Sequence, residues 1–357
     1  MLKGYDLMSK RVRYAVIAGI VVVVLVIFGI VRFFFNNDEG SPAYAVNMLQ
    51  ESIKEHDQVK FNSIVNVDRL LSTSFDSFID GMIASDESMP EEVKDHVVKF
   101  TQMLKTPMTE SMKTAIANYV EYGSIEDRSQ EGKSINNQDS NLMAVSEMLE
   151  RTGLDKASFR GIDSVKTVKD NDKQAVAVVK VYQQEIGREF KFEVMLEKDS
   201  NDIWRVVSIR NFRNFIELVN KARREQLDEY LSETNSIISR HDQTIRDAEQ
   251  KYSSILSSGS LGKDDTRSSL KALMNDVFKK DWEARKQELF NVNVPKSAET
   301  LQNLRIKICD LSIDSADLYA KWMDDKKAAT VKEADEKRKQ VQALLTEEDI
   351  LISRMSN

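Results

Sequence analysis

The run Glu189-Phe190-Lys191-Phe192-Glu193-Val194-Met195-Leu196 decides the fold class of this chain. Phe190, Phe192, Val194 and Leu196 alternate with Lys191, Glu193, Met195 and Glu197. A period of two marks a strand with one face buried and the other wet. Stretches 162–168, 175–182 and 203–209 are similarly rich in β-branched and aromatic residues. The connectors Lys169-Asp170-Asn171-Asp172, Glu185-Ile186-Gly187 and Lys198-Asp199-Ser200-Asn201-Asp202 are short and turn-like. Strands joined this tightly predict a four-stranded antiparallel meander.

Working back toward the N-terminus, the period becomes helical. Ser41 can cap a helix and Pro42 suits its first turn. Ala45, Met48, Leu49 and Ile53 then form one stripe. After 59–67, Asp68 is the expected cap of a helix over 69–83. Residues 86–90 break the pattern, and helical patterns return over 91–104 and 108–122. Residues 123–141 are polar except for Ile125 and Ile135 and predict an exposed loop. A short helix over 142–151 would end at Gly153. Helices followed by a meander predict an α+β domain, with helices packed on one sheet face.

Working forward from the meander, residues from 214 onward read as helix throughout. Leu227, Leu231, Thr234, Ile238, His241, Ile245, Ala248, Tyr252 and Ile255 follow alternating spacings of four and three, a heptad-like seam. After a break at 257–265, a second helix over 266–290 carries Leu270, Leu273, Val277 and Ala284. After Pro295 a third seam holds Leu301, Leu304, Ile308, Leu311, Ser315, Leu318 and Trp322. Val331, Ala334, Val341, Leu345 and Ile352 either extend that helix past a phase slip near Asp325 or form a fourth. Short breaks favour antiparallel neighbours in a coiled-coil-like bundle, although the seams would also serve self-association between chains.

The other end of the chain carries an address. Residues 14–31 hold no charge, and Arg32 and three phenylalanines follow. About 20 such residues cross a hydrocarbon layer of ~30 Å. Lys3, Lys10, Arg11 and Arg13 precede the run, while Asp38 and Glu39 follow it. Basic flanks stay cytoplasmic, so a single-pass signal-anchor is expected, with the bulk extracytoplasmic. Arg11, Arg13 and Arg32 mark its ends. A cleaved signal peptide would use Ala43-Tyr44-Ala45, but the run exceeds an h-region of ~7–15 residues. The expected organisation is a tail at 1–13, an anchor at 14–35, an α+β domain at 41–213 and a helical domain at 214–357.

Removing the five bases and one acid of residues 1–35 leaves 46 bases against 57 acids, a net charge of −11. That argues against nucleic acid as a partner. The single cysteine, Cys309, allows no internal disulfide. His56, His96 and His241 are scattered, and HExxH, GxSxG, GxxxxGK[ST] and GxGxxG are all missing from the sequence. No catalytic, cofactor or metal site is therefore expected. One basic cluster, Arg205, Arg210, Arg213 and Arg224, is a candidate face for an anionic ligand or partner. Its plainer reading is ion pairing with neighbours such as Glu217 and Asp228.

Several short motifs, taken in order, carry a resemblance. They are Ser41-Pro42 with Tyr44-Ala45, Asn66-Val67-Asp68, Thr106-Pro107-Met108-Thr109, and Trp204-Arg205-Val206-Val207 with Asn211. Together with the N-terminal anchor, this order resembles an uncharacterised bacterial family of membrane-anchored proteins, a family of unknown function. Its architecture is similar to the nuclear-transport-factor-2-like (cystatin-like) α+β fold. The resemblance covers about residues 41–215 and implies helices cradled by a curved sheet. It implies no activity. The expected function is a membrane-tethered binding or scaffold protein of the cell envelope. The alternatives are a ligand sensor or enzyme using a pocket in the α+β domain, and a subunit of a secretion or envelope machine.

Overall fold

The computed structural model describes residues 40–85, 89–123 and 150–356. The expected anchor with Arg11, Arg13 and Arg32, most of the 123–141 loop and nearly all of the 142–151 helix lie outside the described residues. Among those described, no helix is long and apolar enough to cross a membrane. The chain is α+β and mostly helical, with a four-stranded antiparallel sheet. It divides into two compact units between Ala222 and Arg223.

The first unit opens with α1 (Pro42–Lys54), capped by Ser41, whose hydroxyl accepts from Tyr44 N at 3.0 Å. α2 (Gln58–Ile64) is capped by Asp57. α3 (Val67–Ser85) follows, and its cap is Asn66, which accepts from Arg69 N at 3.0 Å. Asp68 is therefore not the cap. It lies in the first turn of α3 and pairs with Lys113. α4 (Glu91–Tyr122) is one continuous helix through Pro107, where the sequence suggested two. Proline removes the N–H that Met103 O would accept, but that turn is exposed, so water can take its place.

The sheet runs in chain order: β1 (Ala157–Val168), β2 (Asn171–Gln183), β3 (Arg188–Lys198) and β4 (Trp204–Ile209). Its turns use residues at positive φ: Asp170 at 63°, Gly187 at 62° and Asp202 at 61°. Asp and Gly tolerate this region better than branched residues do. Asp199 Oδ1 accepts from both Asn201 N and Ile203 N, closing the last turn. β1 starts five residues before the expected Ile162. Bulges between Phe159 and Gly161 and between Ile162 and Ser164 break its alternation, which hid this part of the strand.

Phe192, Val194 and Leu196 are buried as their alternation predicts, while Phe190 is half-buried. Met195, on the opposite face, is buried too. Phe190, Phe192, Phe212 and Phe215 form an aromatic cluster with centroids 4.9–6.3 Å apart. It fills the space between β3 and the first turns of α5 (Phe212–Ser258). Burying one such ring contributes about 1.5–3 kcal/mol. The Trp204 indole donates to Gly40 O at 2.9 Å, fixing the entry of the chain into this unit.

Among its described residues the second unit is built of helices without a strand. After α5 come α6 (Asp264–Leu273), a π-helical segment (Met274–Lys279), α7 (Lys280–Phe290), α8 (Glu299–Asp325) and α9 (Ala328–Ser356). All nine seam positions from Leu227 to Ile255 are buried or half-buried. The stretch after Asp325 is a separate helix: Lys326 adopts φ 52° and ends α8. α9 returns antiparallel, with Ser315 donating to Ala334 O and Arg305 to Glu348. In the second helix the expected Ala284 is exposed, and Arg285 takes its place inside. The π segment adds one residue to the helical repeat and shifts every later face by one position.

Candidate interaction surface

Helix α4 leads two lives. Its C-terminal half buries Met112, Ala115, Ile116 and Val120 in the core. Asp76 holds Lys105 at 2.6 Å and Asp68 holds Lys113 at 2.6 Å, so α3 and α4 run antiparallel. Its N-terminal half begins after Pro90, with Glu91 and Glu92 favourably placed in the first turn. There, Val93 is 46% exposed, Phe100 57%, Met103 71% and Leu104 36%, while Val97 is half-buried. Val93, Val97, Phe100 and Leu104 recur at i, i+4, i+7 and i+11, so they share one side of the helix. Met103 broadens the stripe at its edge.

Single exposed apolar residues need no explanation, and Val59, Leu261, Phe290 and Ile350 are of that kind. A stripe over three turns is different. Its side chains offer on the order of 400 Å², within the ~300–600 Å² of the largest apolar patch on a typical monomer. The spacing was legible in the sequence. What the spacing could not show is that the core-facing side of α4 lies beside this stripe, leaving the stripe uncovered by α3.

The candidate arginines sit on β4, just past it and along α5. Arg205 lies at the start of β4, with its Nε donating to Asp199 Oδ2 at 2.8 Å. Arg210 stands just past the strand's other end, roughly 16 Å away at the ordinary rise of a strand. Arg213 opens α5 and donates to Glu217 at 2.7 Å. Arg224 is exposed and belongs to the second unit.

The second unit encloses a polar network. Arg305 Nε donates to Glu348 at 2.7 Å, and its other nitrogens reach Thr234 and Asn235. Tyr230 donates to Gln302 at 2.9 Å, and Gln302 donates to Leu289 O at 2.6 Å. A second group lies on α5 and α7. His241 Nδ1 is 2.9 Å from Asp281 Oδ1, and Arg285 donates to Asp242 at 2.8 Å while stacking on Trp282. Asp281 Oδ2 and Arg285 Nε are buried without a hydrogen-bond partner. Cys309 is buried nearby in sequence to Arg305, and burial pushes its thiol up to about 12, so it is a poor nucleophile. Among the described residues, no group of three or more His, Cys, Asp or Glu side chains could hold a metal ion. The charges in these groups are paired within the unit, which suits them to specifying helix register.

No protein-family model, curated protein or solved structure matches this chain. Functional inference therefore rests on its own residues, and the α4 stripe is a feature that packing among the described residues does not account for.

Proposed function

We propose that this chain is a membrane-tethered, extracytoplasmic binding or scaffold protein of the cell envelope. An N-terminal helix holds it in the bilayer with the N-terminus cytoplasmic. The first unit is read as a nuclear-transport-factor-2-like module and the second as a coiled-coil-like bundle. The single observation that carries the binding reading is the apolar stripe in which Val93, Phe100 and Leu104 are exposed around half-buried Val97. Further support comes from the uncharged run at 14–31 and its basic flank. The aromatic filling between β3 and α5 favours a packed interior over a polar active site there.

Alkaline washing of membranes that carry the full chain tests the tether. The chain is expected to stay with the membrane pellet, and release into the wash would overturn the anchor. Protease added outside intact cells stripped of their outer layers should digest the body and spare a tag placed before Met1. Digestion of the tag in place of the body would overturn the orientation.

A further inference from the structure

The α4 stripe also points to its own occupant. We propose that it pairs with the same stripe on a second copy of this chain, in an antiparallel, two-fold arrangement. The proposal rests on the binding reading above and names the partner.

The argument begins with charge. Residues 91–97 carry Glu91, Glu92 and Asp95 against Lys94, while residues 98–105 carry no acid and offer Lys99, since Lys105 is held by Asp76. The first half of the stripe is thus net negative and the second net positive. A reversed copy lays negative on positive at both ends. A parallel copy lays like on like, which is unfavourable. An interface that answers itself under reversal is what a two-fold dimer requires.

The same composition argues against lipid as the occupant. Helices that lie in a membrane interface carry an excess of Lys and Arg on their polar face. Residues 91–105 instead balance three acids with three bases. Lys94 and Lys105 are already engaged, with Glu91 at 3.2 Å and Asp76 at 2.6 Å.

Area sets the strength. Two stripes with their polar rims would bury about 1,000 Å² in total, near the lower limit for a specific complex. Pairing should therefore be weak in dilute solution and strengthened where copies share a membrane. If both tethers enter one bilayer, the two-fold axis lies along the membrane normal, and α4 runs parallel to the membrane plane.

Cysteine crosslinking of the full chain, in membranes and in detergent micelles, tests this. Val93→Cys and Leu104→Cys are made separately, and a short bismaleimide is added to each alone and to the mixture. In the antiparallel pair the two Val93 positions stand about 16 Å apart along the helix axis, whereas Val93 lies opposite Leu104. A crosslinked dimer is expected in the mixture and not in either variant alone. The wild-type chain, with buried Cys309, sets the background, and exposed Val59→Cys is the off-face control. Phe100→Asp should weaken self-association roughly thirtyfold or more. Val98→Asp, off the stripe on the same helix, should not weaken it. A crosslink in Val93→Cys alone overturns the antiparallel pairing. No crosslink at all overturns the dimer, and maleimide labelling of Phe100→Cys then separates two cases. Slow labelling relative to Val59→Cys means another partner covers the face, and the binding reading stands. Equally fast labelling means the face is open, and the binding reading falls as well. The alkaline wash reports on the tether independently of every arm.

Discussion

Arg305 donates from Nε to Glu348 Oε1 across 2.7 Å, and both side chains are almost wholly buried. The pair joins α8 to α9, and further bonds from the same guanidinium reach Thr234 and Asn235 on α5. Three helices thus meet at one side chain. Removing either partner leaves a charge in the core without its counterion. Arg305→Ala and Glu348→Ala should each destabilise the second unit by about 3–5 kcal/mol. Arg305→Met combined with Glu348→Leu should cost much less than the sum of the two alanine changes. Denaturant unfolding of the four proteins gives the comparison. Additive losses would show that the two residues do not act as a pair.

Gly81 lies where α3 comes close to α5. A Cβ there would lie 2.8 Å from Ile216 Cβ and 3.3 Å from Arg213 O. Alanine ordinarily stabilises a helix interior by roughly 1 kcal/mol relative to glycine. Here the overpacking, about 1–3 kcal/mol, opposes that gain. Gly81→Ala should therefore fail to stabilise and should lower the melting temperature of the first unit. A rise in melting temperature would show that the helices part without cost.

Asp163 sits at the β1 bulge between Ile162 and Ser164, beside two lysines that oppose each other across β2 and β3. Lys180 and Lys191 each approach it at 2.8 Å. Like charges directly opposite on a sheet repel, and the bulge brings in the anion between them. The hydrogen bond with Lys180, then that with Lys191, brings the Asp163 carboxyl down to about 2. A folded-state value below the unfolded one adds stability above roughly pH 4, and this is lost as pH falls toward 2. The stability gap between wild type and Asp163→Asn should therefore close as pH drops from about 5 to 2. The group is solvent-exposed, so the gap should be small and should shrink in high salt. A carbon-detected NMR titration of Asp163 checks the midpoint directly, and a value near 4 would remove the basis for the effect.

These features differ in how far the sequence reveals them. The alternation from Phe190 to Leu196 is a local signal, because each side chain reports its face through the residue beside it. The Ser41 cap is local in the same way. The Asp163 contacts are not, because they depend on a bulge that displaces one strand against its neighbour. Pro107 misled for a related reason: proline weakens one helical turn, yet helix continuity is decided by both flanks. The α4 stripe falls between these cases. Its spacing is visible from Val93 to Leu104, but its exposure depends on where α3 ends.

The π segment gives the sharpest test of such a phase argument. Leu270 and Leu273 lie inside before it, and Arg285 and Leu289 lie inside after it. A regular helix of this length would have placed Ala284 inward instead. One residue is thus surplus within Met274–Lys279, and the wide turn absorbs it. Deleting exposed Asp276 should let the segment tighten into regular α-helix while keeping both flanking faces on the core. The deletion variant should fold with near wild-type stability, apart from the small loss of the exposed pair with Lys280. Deleting exposed Asn303 from regular α8 has no surplus to draw on. It turns later seam residues by about 100° relative to Leu301 and should unfold the second unit. Circular dichroism and thermal melts of the two deletion variants decide the matter. Equal damage from both would mean that the wide turn is required for itself and is not simply an absorbed insertion.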